Sequence, residues 1–151
     1  MLFETKRLLV RRFAASDAPA LHALLSDPEV MRCLEPPYSR EQTERFLRQA
    51  GLCEPPLVYA VTRKRDGALI GQLIWHPWDE TAMELGWLLR RDQWGKGFAG
   101  ELTEAALTLT RRDLVLECCP EQRATRHIAL RFGFVLAEER DGLLVYRRQG
   151  K

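Results

Sequence analysis

The chain has 151 residues, of which 46% are hydrophobic and 29% are charged, and its formal net charge is +2. This composition excludes a disordered chain, and the near-neutral charge excludes a global basic field of the kind that binds nucleic acid. No apolar run approaches the roughly 18 residues of a membrane span, and the first residues lack a signal-peptide pattern. We therefore expect residues 1–151 to form a single cytoplasmic domain that binds neither membrane nor nucleic acid.

The first half of the chain predicts a strand, two helices and a run of three strands. Residues 7–13 (RLLVRRF) form the first strand, and the first helix begins after Ser16 as its N-cap. Ser39 and Gln42 have the spacing of a capping box for the second helix. β-rich runs then follow at 56–64, 68–76 and 82–89, the first two joined by the turn Asp66-Gly67.

The second half alternates helices and strands after a glycine-rich stretch. A helix is predicted over about 99–110, a short strand over 114–118 and a helix over 121–132. Two final strands flank the turn Asp141-Gly142. The order β, α, α, β, β, β, α, β, α, β, β predicts an α+β fold with a mixed sheet.

The four cysteines show no metal-site or disulfide pattern. Cys33, Cys53, Cys118 and Cys119 have neither CxxC spacing nor a histidine partner at zinc-finger distance. We therefore expect no metal and no disulfide framework, with the adjacent Cys118 and Cys119 as buried thiols at a strand end.

Three glycines in six positions, Gly95, Gly97 and Gly100, precede the third helix and admit several interpretations. A phosphate-binding P-loop is excluded because Arg90 and Gly97 stand where that motif needs Gly and Ser or Thr. The glycines spell GxGxxG, but three strands precede them and too few residues follow for a dinucleotide-binding sheet. A third interpretation is a bare helix N-terminus that accepts a pyrophosphate beside Lys96, and a fourth is a turn needed only for packing.

Resemblance to a known family favours the pyrophosphate interpretation. The stretch ELGWLLRRDQWGKGFAGE resembles the acetyl-CoA-binding segment of the GNAT superfamily, whose motif Q/R-x-x-G-x-G/A falls on Trp94, Gly97 and Ala99. The opening residues 4–34 and the segment PEQRATRHIALRFGF resemble the branch of ribosomal-protein N-terminal (alanine/serine) acetyltransferases, in which Trp at the first motif position is usual. The resemblance covers essentially the whole chain.

The resemblance implies a fold and a cofactor site. The fold would be a GNAT-type mixed, mostly antiparallel sheet with helices on both faces and a central parallel strand pair, 82–89 and 114–118, that splays apart. Acetyl-CoA would lie in that gap, with its pyrophosphate on the glycine turn and its pantetheine arm along the end of the first of these strands. The residues implied to bind it are Leu88, Leu89, Trp94, Gly95, Lys96, Gly97, Phe98, Ala99, Gly100, Gln122 and Thr125.

The catalytic candidates are Glu84 and Thr125. Glu84 shares a strand face with Gly86, which would leave room for an amine or a water beside this general base; an exposed carboxylate at a strand start is the alternative. Thr125 takes the family position of a serine that hydrogen-bonds the leaving thiolate. The position of the family tyrosine, a general acid, holds Ala129 instead, and His127 and Tyr146 are the other candidate proton carriers.

The implied activity is transfer of acetyl from acetyl-CoA to a primary amine, either a protein or peptide N-terminus or a small molecule, by direct attack in a ternary complex. The alternative is a non-catalytic acyl-CoA-binding module, because Ala129 and Gln122 depart from the family pattern. Tryptophans 75, 78 and 87 would either wall the acceptor groove or belong to the core. Dimers are common in this superfamily, so the resemblance also allows a homodimer that forms through the terminal strands.

Overall fold

The structure, a computed structural model that describes residues 1–151, consists of eight strands and four α-helices. The strands are β1 (Phe3–Glu4), β2 (Leu8–Arg11), β3 (Val58–Arg63), β4 (Leu69–Pro77), β5 (Ala82–Leu89), β6 (Asp113–Cys118), β7 (Val135–Arg140) and β8 (Leu143–Arg148). The helices are α1 (Ala18–Leu25), α2 (Arg40–Phe46), α3 (Phe98–Ala106) and α4 (Arg123–Arg131). All strands join one sheet in the order β1-β2-β3-β4-β5-β6-β8-β7.

The two central strands, β5 and β6, form the only parallel pair in this otherwise antiparallel sheet. They pair only over Ala82–Glu84 and Asp113–Val115, although β5 continues to Leu89 and β6 to Cys118. Beyond Glu84 the two strands therefore separate and leave a gap in the middle of the sheet. The predicted mixed sheet with a splayed parallel pair is confirmed.

Helices cover both faces of the sheet, as expected. On one face, Leu21, Leu24 and Leu25 of α1 pack with Val58 and Ala60 of β3. On the other, Phe98, Leu102 and Ala106 of α3 and Ala129 of α4 pack in a larger core with residues of β4, β5, β6 and β8. No helix combines the length and the apolar character that crossing a bilayer requires.

Most local predictions hold, with small corrections at the first helix. Ser39 Oγ accepts from the Gln42 amide and Gln42 Oε1 accepts from the Ser39 amide, which confirms the capping box of α2. The N-cap of α1 is Asp17 and not Ser16, which lies in a preceding 3-10 turn. The turn Asp141-Gly142 has φ values of 52° and 81°, as a two-residue hairpin turn requires. The two-residue strand β1 was not predicted.

The expectation of no disulfide is wrong. Cys33, in the loop after α1, is bonded to Cys119, which directly follows β6, and their Cα atoms are 6.1 Å apart. The two cysteines are separated by 86 residues along the chain, so no local spacing in the sequence indicates that they pair. The bond ties the loop on the α1 face to the end of β6 beside the gap. Cys118 remains a buried free thiol, as predicted for that residue.

Candidate functional site

A cavity of about 610 Å³ opens at the gap between β5 and β6. Its walls come from residues 87–89 of β5, most of the glycine turn, the start of α4 with residues 121 and 122 before it, and the loop after α1. Because α3 and α4 lie on one face of the sheet and the α1 loop on the other, the cavity reaches both faces through the gap. Ten of the eleven residues predicted to bind the cofactor line this cavity, and only Lys96 does not.

The glycine turn presents bare backbone at the start of α3. Gly95 and Gly97 have φ values of 76° and 82°, a left-handed conformation that glycine adopts without strain. Gly97 is the N-cap of α3, and no side chain accepts a hydrogen bond from the first turn. A Cβ added at Gly95 would meet no atom within 4 Å. The turn therefore offers free N–H groups, the positive end of the helix dipole and space for an anion.

Arg7, which precedes β2, holds this turn in place. Its Nη2 donates to the Lys96 carbonyl at 2.9 Å, and its guanidinium lies 4.2 Å from the centroid of the Phe98 ring. Its Nε donates to Glu101 Oε1 at 2.8 Å, in the first turn of α3. No local pattern in the sequence marks Arg7, because its partners lie about 90 residues away along the chain.

The pKa of Glu101 reflects this anchoring. Burial alone would raise it, but hydrogen bonds from the Thr5 hydroxyl and from Arg7 outweigh burial and lower it. The Glu101 carboxylate is thus held ionised between the β1–β2 turn and α3.

The end of β5 is fixed by Trp94, whose indole Nε1 donates to the Leu89 carbonyl at 2.9 Å. This bond explains why a tryptophan suits the first motif position, since it ties the glycine turn to the strand. The Leu88 carbonyl lies against β4, because a Cβ added at Gly71 would come within 2.2 Å of it. Successive residues of a strand direct their backbone groups to opposite sides, so Leu89 is the one whose backbone faces the gap.

The start of α4 brings Gln122 and Thr125 to the cavity. Gln122 Oε1 accepts from the Cys119 amide at 2.9 Å, so this side chain also closes the end of β6. Ala129 is fully buried in the core beneath α4, and the position has no exposed surface from which a tyrosine would reach the cavity. Of the other candidate proton carriers, His127 lines the cavity, whereas Tyr146 is buried and accepts from Arg126 Nε at 3.3 Å.

Glu84 lies outside the cavity wall, at the point where β5 and β6 part. It pairs in register with His76 of β4 on one side and Val115 of β6 on the other. The space beside it is smaller than expected, because a Cβ at Gly86 would come within 2.9 Å of Ile74 Cδ1. His76 Nε2 is 3.3 Å from Glu84 Oε2. The hydrogen bond to Glu84 is the main cause that raises the pKa of His76.

A second carboxylate, Glu117 of β6, lies on the same sheet face as Glu84. Burial, followed by the charge of Glu84, raises the pKa of Glu117, and a hydrogen bond to Glu84 acts in the same direction. Neither Glu117 as a partner of Glu84 nor His76 was predicted. Alternation along 114–118 and 68–76 places both side chains on the face of Glu84, but only the strand pairing shows that they meet.

The remaining predicted residues lie in several different places. Lys96 lines a neighbouring basic cavity of about 450 Å³ together with Lys6, Arg7 and Arg63. Trp75 belongs to the core, and Trp87 lines the gap cavity. Trp78 packs on Ala82, Val115 and Val145, on the face of Glu84. The trio Cys33, Cys119 and Glu121 has its donor atoms within 4.8 Å, but both sulfurs are taken by the disulfide.

The chain is similar in sequence and in fold to known acetyltransferases. The model of the acetyltransferase (GNAT) domain family matches residues 7–135. The uncharacterized N-acetyltransferase YnaD of Bacillus subtilis (strain 168) is 26% identical over 140 residues, which cover 88% of this chain and 82% of YnaD. Among solved structures, a GNAT family acetyltransferase from Bacillus anthracis has a TM-score of 0.87 at 21% identity, covering 97% of this chain and 96% of that one. A spermidine N-acetyltransferase from Vibrio cholerae, solved in complex with CoA and spermine, has a TM-score of 0.76 at 20% identity, with coverage of 93% and 92%.

Proposed function

Because the chain belongs to the GNAT family of acetyltransferases, we propose that it transfers acetyl from acetyl-CoA to a primary amine by direct attack in a ternary complex. One observation carries the proposal: a bare, positively polarised glycine turn opens onto a cavity at the gap between β5 and β6. Such a turn accepts a pyrophosphate through backbone N–H groups, which do not depend on side-chain identity. The resemblance to the ribosomal-protein N-terminal branch makes peptide N-termini the first acceptors to test, and small amines such as spermidine the second.

The residues of the site fit acetyl-CoA as follows. The amides of the turn from Gly95 to Gly100 would hold the pyrophosphate, and no Cβ stands over Gly95 to block its approach. The backbone of Leu89 would pair with the pantetheine arm. The thioester, when bound, would supply the acetyl group next to Thr125, whose hydroxyl would donate to the departing sulfur. Glu84, on the opposite side of the gap, would take the proton from the amine.

Direct attack is favoured over an acetylated cysteine intermediate. Cys119 is bonded to Cys33, and Cys118 is 2% exposed with a pKa that burial raises, so neither provides a thiolate. We expect the double variant Cys118→Ala, Cys119→Ala to acetylate amines at a rate close to that of reduced wild type, which also lacks the disulfide. A folded double variant without activity would contradict direct transfer.

The alternative function is a module that binds acyl-CoA without turnover. It is supported by Ala129, which is buried in the core and leaves the family position of the general acid without a titratable group. Formation of an acetylated product with any amine, followed as release of the CoA thiol, decides between the two functions.

The first experiment is thermal denaturation with acetyl-CoA, CoA and NAD in parallel. A ligand at about 100 times its dissociation constant adds about 2.7 kcal/mol of apparent stability. We expect this stabilisation with both CoA species and not with NAD, and its loss in Gly97→Glu, whose side chain would fill the turn.

The matched control is Gly142→Glu. Gly142 has a φ of 81°, close to the 82° of Gly97, and no atom within 4 Å of its Cβ position, where Gly97 has only Arg7 Nη2 at 3.5 Å. It lies in the β7–β8 hairpin away from the cavity. Both substitutions introduce the same left-handed strain, so only the loss of the CoA effect is specific to Gly97. No CoA effect in wild type, or an equal loss in both variants, would refute the proposed site.

A further inference from the structure

The neighbours of Glu84 indicate where the proton of the acceptor goes, an inference that rests on the proposed function. We infer that His76 stores the proton that Glu84 takes from the acceptor ammonium, with a second carboxylate, Glu117, beside Glu84. Under the proposed function Glu84 would contact the acceptor amine and be the catalytic residue. His76 acts through Glu84 and is a positioning residue.

The sheet brings these three side chains together on one face. His76 of β4 and Glu84 of β5 are directly paired, and Glu84 is paired with Val115 of β6. Glu117 is two residues beyond Val115, hence on the same face, and lies where β6 has left β5. The trio therefore sits at the head of the gap, on the α1 face, opposite the face that carries α3 and α4.

The hydrogen bonds of His76 fix which of its nitrogens is free. Nδ1 lies 2.8 Å from the Pro77 carbonyl oxygen, which can only accept, so Nδ1 carries a hydrogen. In the neutral ring Nε2 is then an acceptor, and it faces Glu84 Oε2 at 3.3 Å. An ionised carboxylate is also only an acceptor. When the ring is neutral, the two atoms therefore lack a shared proton, and one proton between them satisfies both, in line with the hydrogen bond to Glu84 that raises the pKa of His76.

This arrangement accounts for every proton of the reaction. The ammonium loses an N–H proton to Glu84, which passes it to His76 Nε2, and the neutral amine attacks the thioester carbonyl carbon. The C–S bond breaks, and the second proton of the new amide nitrogen goes to the sulfur, giving the CoA thiol. The products are one amide, one thiol and one proton held on His76. The His76 side chain is 27% exposed and can release that proton to solvent.

Charged groups of β4, β5, β6 and β7 act on one another in and around this trio. Glu84 faces His76 of β4 and Glu117 of β6. The charge of Arg140 in β7 lowers the pKa of Glu117, and the charge of Glu138 in β7 raises it. Burial, and then the negative charge of Glu84, raise the pKa of Glu117.

The test is the pH dependence of kcat in His76→Gln. Glutamine keeps a donor near Glu84 but cannot hold a proton. We expect wild-type kcat to fall as pH drops below the pKa of His76, because the protonated ring cannot accept another proton. In His76→Gln we expect kcat to be about 100-fold lower and this acid limb to disappear, with the acetyl-CoA dissociation constant unchanged. The control His22→Gln changes a histidine of α1 outside the site and should match wild type.

A second variant keeps the inference testable if His76→Gln does not fold. His76→Asn also keeps a polar amide but cannot hold a proton, so we expect it to lower kcat and to remove the acid limb as His76→Gln does. An unchanged acid limb in whichever of His76→Gln and His76→Asn folds would overturn the inference. If wild type acetylates no amine from a panel of alanyl and seryl peptides and spermidine, the proposed function itself fails and not merely the proton route.

Discussion

At the scale of the residue, Glu84 is the side chain on which the proposed chemistry depends most. We expect Glu84→Gln to lower kcat by about 100-fold or more, because glutamine cannot accept a proton, while acetyl-CoA affinity stays the same. Steady-state rates of thiol release and calorimetric binding of acetyl-CoA measure the two quantities. The control is Glu80→Gln, an exposed carboxylate in the nearby β4–β5 loop. Equal activity of the two variants would remove Glu84 from the mechanism.

The site residues differ in how far the sequence could reveal them. Gly95 and Gly97 could be proposed from the sequence because a positive φ restricts the residue type at each position. Thr125 was proposed from its place in a family segment. Arg7 and His76 were not found, because their roles depend on partners brought close by the fold and not on any local spacing. The disulfide was missed for the same reason.

At the scale of the element, α3 depends on its contact with the β1–β2 turn. Glu101 has a lowered pKa, so its ionised form stabilises the fold at and above its ordinary pKa of 4.5, and this contribution is lost as pH falls through the lowered pKa. We expect Glu101→Gln to lower the free energy of unfolding by about 1.5 kcal/mol at neutral pH, and to reduce the difference as the solution is acidified.

Urea denaturation at several pH values measures this effect. Glu104→Gln is the matched control, since Glu104 is an exposed carboxylate of the same helix without an ion pair in the structure. A pH-independent difference between Glu101→Gln and wild type would show that lost packing, and not the charge, is responsible.

The order of elements was largely predictable, whereas their exact ends were not. Runs rich in β-forming residues predict β3, β4 and β5, and the turn residues Asp141 and Gly142 separate β7 from β8. The short strand β1 carries only two residues, too few for any periodicity. The parallel pairing of β5 and β6 leaves no pattern in the chain, and it was expected from the family resemblance alone.

At the scale of the whole molecule, the disulfide joins two regions that the sheet does not connect directly. We expect Cys33→Ser to lower the free energy of unfolding by about 2 to 4 kcal/mol under non-reducing conditions, because the bond closes a long loop. Addition of a reductant should bring wild type to the stability of the variant. Cys53→Ser removes a free cysteine and should have no such effect. If the reductant leaves the free energy of unfolding of the wild type unchanged, the disulfide bond does not form in solution.

The separation of β5 and β6 gives the centre of the sheet an unusual exposure to water. Beyond Leu85 the backbone amides of β5 that face β6, those of Trp87 and Leu89, have no ladder partner there, while those that face β4 do. We expect the first set to exchange hydrogen for deuterium quickly, although they lie in the middle of the sheet, and the second set slowly. CoA would slow the first set and leave the second unchanged, so exchange rates along β5 report, residue by residue, how far a bound molecule substitutes for the missing strand pairing.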